Sequence, residues 1–148
     1  MSVPAESAVL SGEALVERIV SVASDRKAID IRVLDVQEMV GYTDFFVICS
    51  GNTERQTKAI HDAVYESLKA DGVLPRRVEG AREARWILMD YLDAVVHVFT
   101  PDAREFYRLE NLWRDAPIVH WEDGSEATEA AEATEAAANI AEQSSSGP

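Results

Sequence analysis

Residues 86–117, WILMDYLDAVVHVFTPDAREFYRLENLWRDAP, decide the fold of this chain. Two apolar runs, at 86–91 and 94–99, are separated by a two-residue break, and this pattern predicts an antiparallel hairpin. Aromatic and acidic side chains crowd the turn end of these strands, with no nucleophile or cluster of metal ligands beside them. This composition is typical of an interface and favours a docking surface over an active site.

The segment after the hairpin predicts one helix. Pro101 suits its first turn, and Asp102 with Glu105 predicts a box-like N-terminal cap. The run from Asp115 to Pro117 ends it. The helical spacing predicts a buried apolar stripe made of Phe106, Leu109, Leu112 and Trp113.

The sequence before the hairpin adds a helix and two strands. Ser11 can cap a helix over residues 12–27, which has an apolar face at helical spacing. Residues 31–36 (IRVLDV) predict a strand. Residues 44–50 (DFFVICS) are apolar on both faces after the first position, which predicts a central strand covered on both sides.

A second long helix and a short strand complete the pattern. Thr53 and Gln56 have the spacing of a capping box, and the helix runs to about Ala70 before a left-handed Gly72. A short strand follows at residues 77–79. The order α-β-β-α-β-β-β-α predicts an α/β fold with a mixed sheet of about five strands flanked by helices.

Composition divides the chain into three parts. Residues 1–10 are predicted to be a flexible leader, and residues 11–121 a single domain long enough to bury a core. Residues 122–148 are rich in Ala and Glu, with Ile140 as the single bulky aliphatic side chain. Such a segment cannot bury enough apolar surface to offset chain entropy, so a disordered acidic tail is predicted.

The charge distribution favours a basic protein partner over nucleic acid. All 14 Lys and Arg residues and 20 of the 27 acidic residues lie in residues 1–121, so this part carries a net charge of −6. Residues 122–148 contribute the other seven acids and no base. Binding to a nucleic-acid backbone requires a basic patch, and none is evident, so sequence-specific nucleic-acid binding is not expected.

Further features bear on the cellular compartment. Residues 1–17 hold three Glu and no Lys or Arg, which is the opposite of a secretory or mitochondrial presequence. No apolar run approaches the ~20 residues that span a bilayer, so no membrane association is expected. The single cysteine, Cys49, allows no intramolecular disulfide and is predicted to be a buried strand thiol. A cytoplasmic location is predicted.

Motifs for cofactors and metals are missing from the sequence. There is no G-x-x-x-x-G-K-[ST] and no G-x-G-x-x-G. His61, His97 and His120 lie in different predicted elements, and none has a metal-ligand spacing with Cys49. Neither a cofactor nor a metal is therefore expected.

Carboxylates near strand ends are the best enzymatic lead. Asp35, Asp44, Asp90 and Asp93 could lie near one another, as the metal-binding acids of a nucleotidyl transferase do. Such enzymes pair a Gly-Ser with a D-x-D, whereas Gly51 here precedes Asn and no D-x-D occurs. The chain is predicted not to be an enzyme. A metal-dependent nucleotidyl transferase using Asp44 and Asp90 is the alternative.

Five blocks resemble the ribosomal silencing factor family, also called Iojap or DUF143. They are D-V-Q at 35–37, T-D-F-F-V-I-C-S-G at 43–51, V-E-G at 78–80, W-I-L-M-D-Y-x-D-x-V-V-H-V-F at 86–99, and R-x-F-Y-x-L-E-x-L-W-x-D-A at 104–116. The resemblance covers roughly residues 11–121 in uninterrupted order. The acidic tail is not part of the pattern.

The resemblance implies a fold, a partner and an activity. Members have a mixed α/β domain similar to nucleotidyl transferases but without their catalytic motif. They bind ribosomal protein uL14 on the intersubunit face of the large (50S) subunit, block its association with the small subunit and repress translation when nutrients are limited. Members are homodimers when free. A large-subunit assembly factor without silencing activity is a second alternative.

Carried over residue by residue, the family surface indicates the binding residues for uL14. The hairpin supplies Trp86, Asp90, Tyr91 and Asp93. The weaker candidates are Asp44, Phe45, Glu79 and Gly80. Tyr107 and Glu110 are open to a structural or an interface role.

Leu92 is the one departure from the pattern at the turn. Family members commonly have Gly between the two turn acids, where a positive φ carries no cost. Leu92 is expected either to strain this turn or to change its type, which affects the placement of Asp93.

Overall fold

A computed structural model describes residues 10–122 of the chain. The predicted leader, apart from residue 10, and the predicted acidic tail, apart from residue 122, lie outside the described residues. The elements, in chain order, are α1 (Gly12–Asp25), β1 (Ile29–Asp35), α2 (Gln37–Val40), β2 (Phe45–Ser50), α3 (Glu54–Ala70), β3 (Arg77–Glu79), β4 (Trp86–Asp90), β5 (Ala94–Phe99), α4 (Pro101–Tyr107), α5 (Leu109–Leu112) and β6 (Ile118–Glu122).

The strands form one mixed sheet in the order β3-β4-β5-β2-β1-β6. β2 and β5 are parallel, and every other neighbouring pair is antiparallel. All six residues of β2 are buried, so the prediction of a central strand covered on both faces is confirmed. The α/β class and the predicted 86–99 hairpin are confirmed as well.

Helices cover the two sheet faces unequally. α1 and α3 pack on one face and build the larger core with Ile19, Val33, Ile60 and Val96. The opposite face has a smaller core, to which α4 and α5 contribute Ala103 and Leu109. Because α4 and α5 are short, this second face is only partly covered, and Trp86 and Leu88 are half-buried on it.

The sheet has a sixth strand, β6, that the sequence did not predict. Four of its five residues are exposed, so it has no apolar face of its own to mark it. It forms because β1 offers a free edge, with Val33 opposite His120 and Ile31 opposite Glu122. The indole N–H of Trp121 also donates to Asp30 at 2.7 Å, which holds the strand against β1.

Predicted helix caps are partly confirmed. The hydroxyl of Thr53 accepts from the backbone N–H of Gln56 at 3.1 Å. The Gln56 side chain donates to the carbonyl of Arg26 instead of returning to Thr53, so the reciprocal half of the box is wrong. Ser11 precedes α1 without a side-chain cap, and Gly72 has the predicted left-handed conformation after α3, with φ 89.

The predicted last helix is wrong in its length, cap and buried face. Arg108 adopts φ 48 and divides it into α4 and α5. Thr100, rather than Asp102, is the N-cap, because its hydroxyl accepts from the N–H of Ala103. The break also rotates the predicted stripe. Leu109 is buried, whereas Phe106 is 76% exposed and Leu112 is 70% exposed.

Arg104 holds the two halves of this broken helix on the sheet. Its side chain is 10% exposed, and its Nε donates to Glu110 Oε2 at 2.6 Å. One terminal nitrogen donates to the Ser50 hydroxyl at 2.8 Å, and the other lies 3.4 Å from a carboxylate oxygen of Asp30. This buried cation therefore links α4, α5, β1 and β2. It offsets the cost of the left-handed residue at 108, which is ~1–2 kcal/mol.

Replacing Arg104 with Met should destabilise the domain by about 3 kcal/mol. The reason is that Glu110 would keep a largely buried charge without its partner. The free energy of unfolding in urea measures the loss. Arg108→Met is the matched control, since the Arg108–Glu105 pair is exposed and should cost less than about 1 kcal/mol. Equal losses in the two variants would contradict a special role for the buried cation.

Candidate functional site

An exposed aromatic surface starts from Trp86 on the less covered sheet face. The Trp86 ring stacks on Phe99, with centroids 5.0 Å apart, and meets Tyr107 at 4.6 Å. Tyr107 in turn makes an edge-to-face contact with Phe106 at 5.0 Å. Trp86 is half-buried, Tyr107 is 46% exposed and Phe106 is 76% exposed. We call Trp86, Tyr107 and Phe106 the aromatic surface.

His97 supports Trp86 from beneath. The Trp86 indole N–H donates to His97 Nδ1 at 3.1 Å, so the neutral imidazole carries its proton on Nε2. His97 is 4% exposed, and burial lowers its pKa from 6.5 to about 3. The ring also lies perpendicular to Phe46 at 5.0 Å. His97 is thus a neutral packing residue that fixes the orientation of the indole.

Asp90 and Tyr91 are buried, which corrects the prediction that they flank Trp86 on the surface. Tyr91 is 5% exposed and belongs to the core under α1 and α3, on the face opposite Trp86. Burial raises the pKa of its hydroxyl. Asp90 is 6% exposed; one carboxylate oxygen pairs with Arg76 at 3.2 Å and the other accepts from the N–H of Leu92 at 2.9 Å.

The turn at Leu92 was expected either to be strained or to change its type, and it has a positive φ that disfavours a leucine. Leu92 adopts φ 78, and the N–H of Asp93 donates to the carbonyl of Tyr91 at 2.9 Å, which is the hydrogen bond of a γ-turn. The turn places the Asp93 carboxylate 3.0 Å from the N–H of Gly12, so Asp93 caps the start of α1. The cap that Ser11 does not supply therefore comes from the hairpin.

The four weaker candidates for binding also include both buried and exposed residues. Phe45 is 6% exposed and lies in the core, as expected for a strand covered on both faces, so its ring is not available for a direct contact. Asp44 is half-buried, and its N–H donates to the carbonyl of Asp93 at 3.1 Å. Glu79 is exposed and pairs with Arg77. Gly80 has φ 81, and a side chain there would overlap the carbonyl oxygen of Trp86, so a glycine is required beside the aromatic surface.

Sequence reasoning missed Phe106 as a surface residue. Its seven-residue spacing from Trp113 indicated one shared buried face, but that argument assumed an unbroken helix. The signal that could have shown otherwise is Arg104. A charged residue within the predicted apolar region needs a buried partner. Bringing Glu110 back to Arg104 requires the chain to turn between them, and that turn exposes Phe106.

The carboxylates at the hairpin end already have partners in the fold. Asp90 binds Arg76 and the turn, and Asp93 binds Gly12. Within residues 10–122 no group of three or more His, Cys, Asp or Glu side chains is arranged to hold a metal ion. Cys49 is fully buried, and burial raises its pKa to about 12, so the thiol stays protonated and unreactive.

The structure is an α/β domain with an exposed aromatic surface on the less covered face of its sheet. A family model described as "Ribosomal silencing factor during starvation" matches residues 10–146. The protein belongs to the ribosomal silencing factor family, and the resemblance found in the sequence is confirmed. Among helices of the described chain, none is long and apolar enough to cross a membrane.

Individual relatives agree with this assignment. The ribosomal silencing factor RsfS of Halalkalibacterium halodurans is 40% identical over 113 residues, covering 76% of this chain and 97% of that protein. RsfS of Bacillus subtilis is 41% identical over 100 residues, covering 68% and 85% respectively. A crystal structure of a Bacillus halodurans protein superposes with a TM-score of 0.67 at 38% identity, covering 74% of this chain and 99% of that one.

Two stability measurements test this description of the site. The first concerns Leu92→Gly, which should stabilise the domain by up to about 1 kcal/mol, because glycine adopts φ 78 without strain and the Leu side chain is 51% exposed. Chemical denaturation measures it. Leu74→Gly is the control: this side chain is 59% exposed and its φ is not positive, so the variant should lose about 0.5–1 kcal/mol. A loss of stability in both variants would contradict strain at the turn.

The second measurement concerns the buried His97. The unfolded chain takes up a proton near the ordinary pKa of 6.5, whereas the folded chain does so only near 3, so this group makes the domain less stable as pH falls below 6.5. From pH 7 to pH 5 the loss should be about 2 kcal/mol. Urea unfolding at a series of pH values should show this loss in the free energy of unfolding of the native chain. The His97→Gln variant should lack the part of the pH dependence that comes from the imidazole. An identical pH slope in that variant would refute the burial of a neutral imidazole.

Proposed function

We propose that this protein binds ribosomal protein uL14 on the large subunit, blocks association with the small subunit and thereby represses translation in the cytoplasm under nutrient limitation. The observation that carries the proposal is the family match over residues 10–146. A protein seated on the intersubunit face prevents joining by occupying the space the small subunit needs. No catalytic group is required, in keeping with relatives that are named as silencing factors rather than enzymes.

The aromatic surface supports the proposal as the contact region. Trp and Tyr dominate the energetics of protein interfaces, and their large rings gain most when they pass from water into a fitted contact. Phe106 is 76% exposed and Tyr107 is 46% exposed. Both lie beside an apolar part of the sheet face that they leave uncovered. The net charge of −6 over residues 1–121 suits a basic ribosomal protein.

The predicted uL14-binding residues take different parts in this proposal. Trp86 contacts uL14 directly, and the exposed Glu79 lies at the side of the contact. Asp90, Asp93 and Gly80 shape the hairpin through the bonds and the close approach described above. Tyr91 and Phe45 hold the sheet from the core, and Asp44 ties β2 to the turn.

Phe106→Ser tests the contact without disturbing the core. The variant should bind purified large subunits at least ~30-fold more weakly, since removal of a central aromatic costs ~2 kcal/mol or more. Co-sedimentation with isolated large subunits measures the affinity. Leu74→Ser is the matched control, because Leu74 is similarly exposed but lies in the connection between α3 and β3. Circular dichroism should show both variants folded. Unchanged binding by Phe106→Ser would place the contact elsewhere.

Light scattering of subunit joining tests silencing itself. Saturating protein should prevent the increase in scattering when small subunits are added to large ones, and Phe106→Ser should restore it. Normal joining in the presence of saturating, bound protein would refute silencing. That result would favour the assembly-factor alternative, which a relative named "Mitochondrial assembly of ribosomal large subunit protein 1" from mouse supports at 36% identity over 101 residues. The chain spans 44% of that relative's length.

The nucleotidyl transferase alternative is separable by calorimetry. The Asp90 carboxylate would have to release Arg76 and the N–H of Leu92 to hold a metal ion. Titration with Mg²⁺ and nucleotide should give no heat of binding. A saturable heat that is lost in the Asp44→Asn variant would instead support the nucleotidyl transferase alternative.

We further propose that the free protein is a homodimer, as the family resemblance implies. If the dimer and uL14 share the aromatic surface, the dimer must dissociate before it binds. Sedimentation velocity should then show Phe106→Ser shifted toward monomer relative to the native chain. A native chain that is monomeric at all concentrations would refute the dimer.

A further inference from the structure

A cleft of about 580 Å³ lies between α1 and the edge of the sheet at β6. Val33 of β1 lines it and belongs to the core under α1 and α3, so the cleft opens on that sheet face. Trp86 and Leu88 lie on the opposite face. The cleft forms because β6 extends the sheet beyond the surface that α1 covers. A ligand here would therefore leave the aromatic surface free.

The floor of the cleft is apolar and its rim is acidic. Val16, Val33 and Phe45 contribute to the floor. The acidic rim consists of Glu13, Glu17, Asp25, Asp35 and Glu122. No Lys or Arg is among the lining residues, and His120 is the one basic side chain present.

Two of the rim acids have partners in the fold: Asp35 accepts from the N–H of Gln37, and Glu122 accepts from the Ser24 hydroxyl and lies 3.5 Å from His120. Glu13, Glu17 and Asp25 form no ion pair with any side chain of residues 10–122. Asp25 is the last residue of α1, where the helix dipole disfavours a negative charge. Like charges gathered around one cleft repel each other, and that repulsion is relieved by a cationic ligand.

We propose that this cleft is a docking site for an extended Lys- or Arg-bearing segment of a partner protein. Aliphatic stems and apolar residues of the segment would cover the floor, while its cationic heads meet the rim. In the sheet of the described chain, β6 pairs with β1 alone, so its outer edge can also receive backbone hydrogen bonds from such a segment. The proposal goes beyond the proposed binding of uL14, because it concerns the other face of the sheet.

Charge argues against two other occupants of the cleft. Residues 123–148 follow β6 directly, but they carry acids and no Lys or Arg, so the rim would repel them. In a symmetric dimer through this cleft, the rim acids of one copy would approach those of the other. A cationic segment of a different protein can both cover the apolar floor and neutralise the acidic rim.

The test uses the full chain and a capped peptide in which Lys alternates with Val. Fluorescence anisotropy should show binding, and the same peptide with Glu in place of Lys should not bind. Glu17→Lys should weaken the affinity at least about tenfold. Glu66→Lys is the matched control, with the same change in net charge at an exposed position within α3, and should change the affinity less than about twofold.

Localisation comes from amide shifts in nuclear magnetic resonance spectra. Peptide binding should move the resonances of α1 and β6. Equal weakening by Glu17→Lys and Glu66→Lys, or shifts confined to residues outside α1 and β6, would overturn the proposal. Phe106→Ser should keep full peptide affinity and Glu17→Lys should keep large-subunit binding, so failure of this site is distinguishable from failure of the proposed function.

Discussion

The parallel pairing of β2 with β5 is the constraint on which the rest of the structure depends. All twelve residues of these two strands are buried, so their backbone groups must find partners in the sheet. Where the two strands end, the carbonyl of Phe99 accepts from the N–H of Gly51, which sets the starts of α3 and α4 side by side. Where the two strands begin, the carbonyl of Asp93 accepts from the backbone N–H groups of Asp44 and Phe45, which fixes the hairpin turn.

Buried polar groups make the two faces of the sheet differ in how they are covered. On the face of α1 and α3, long helices close the core. On the other face, Arg104 holds two short helices against β1 and β2, and the left-handed Arg108 between them turns Phe106 toward solvent. The exposed aromatic surface is therefore a consequence of how a buried cation finds its carboxylates. His97 completes it by fixing the Trp86 ring through one hydrogen bond.

Most of the fold could be predicted because its strongest elements follow short-range rules. Apolar runs marked β2, β4 and β5, and Thr53 and Gly72 marked the ends of α3. β6 could not be predicted, because its residues are exposed and its pairing comes from the free edge of β1. For the site, the sequence indicated Trp86, which is half-buried on the less covered face, and it anticipated that Leu92 would strain the turn or change its type. It named Tyr91 as a binding residue, although the alternation of side chains along a strand puts Tyr91 on the face opposite Trp86.

By itself, the sequence determined the α/β class, the central strand, the hairpin and, through five ordered blocks, the family to which the chain belongs. The tertiary structure alone decided which side chains are exposed. Asp93 became the cap of α1 and Arg104 the bridge to Glu110 and Asp30 only when distant segments met. The physical reason is range: propensity and periodicity act over a few residues, whereas the pairing of a buried charge depends on partners brought together by the whole fold.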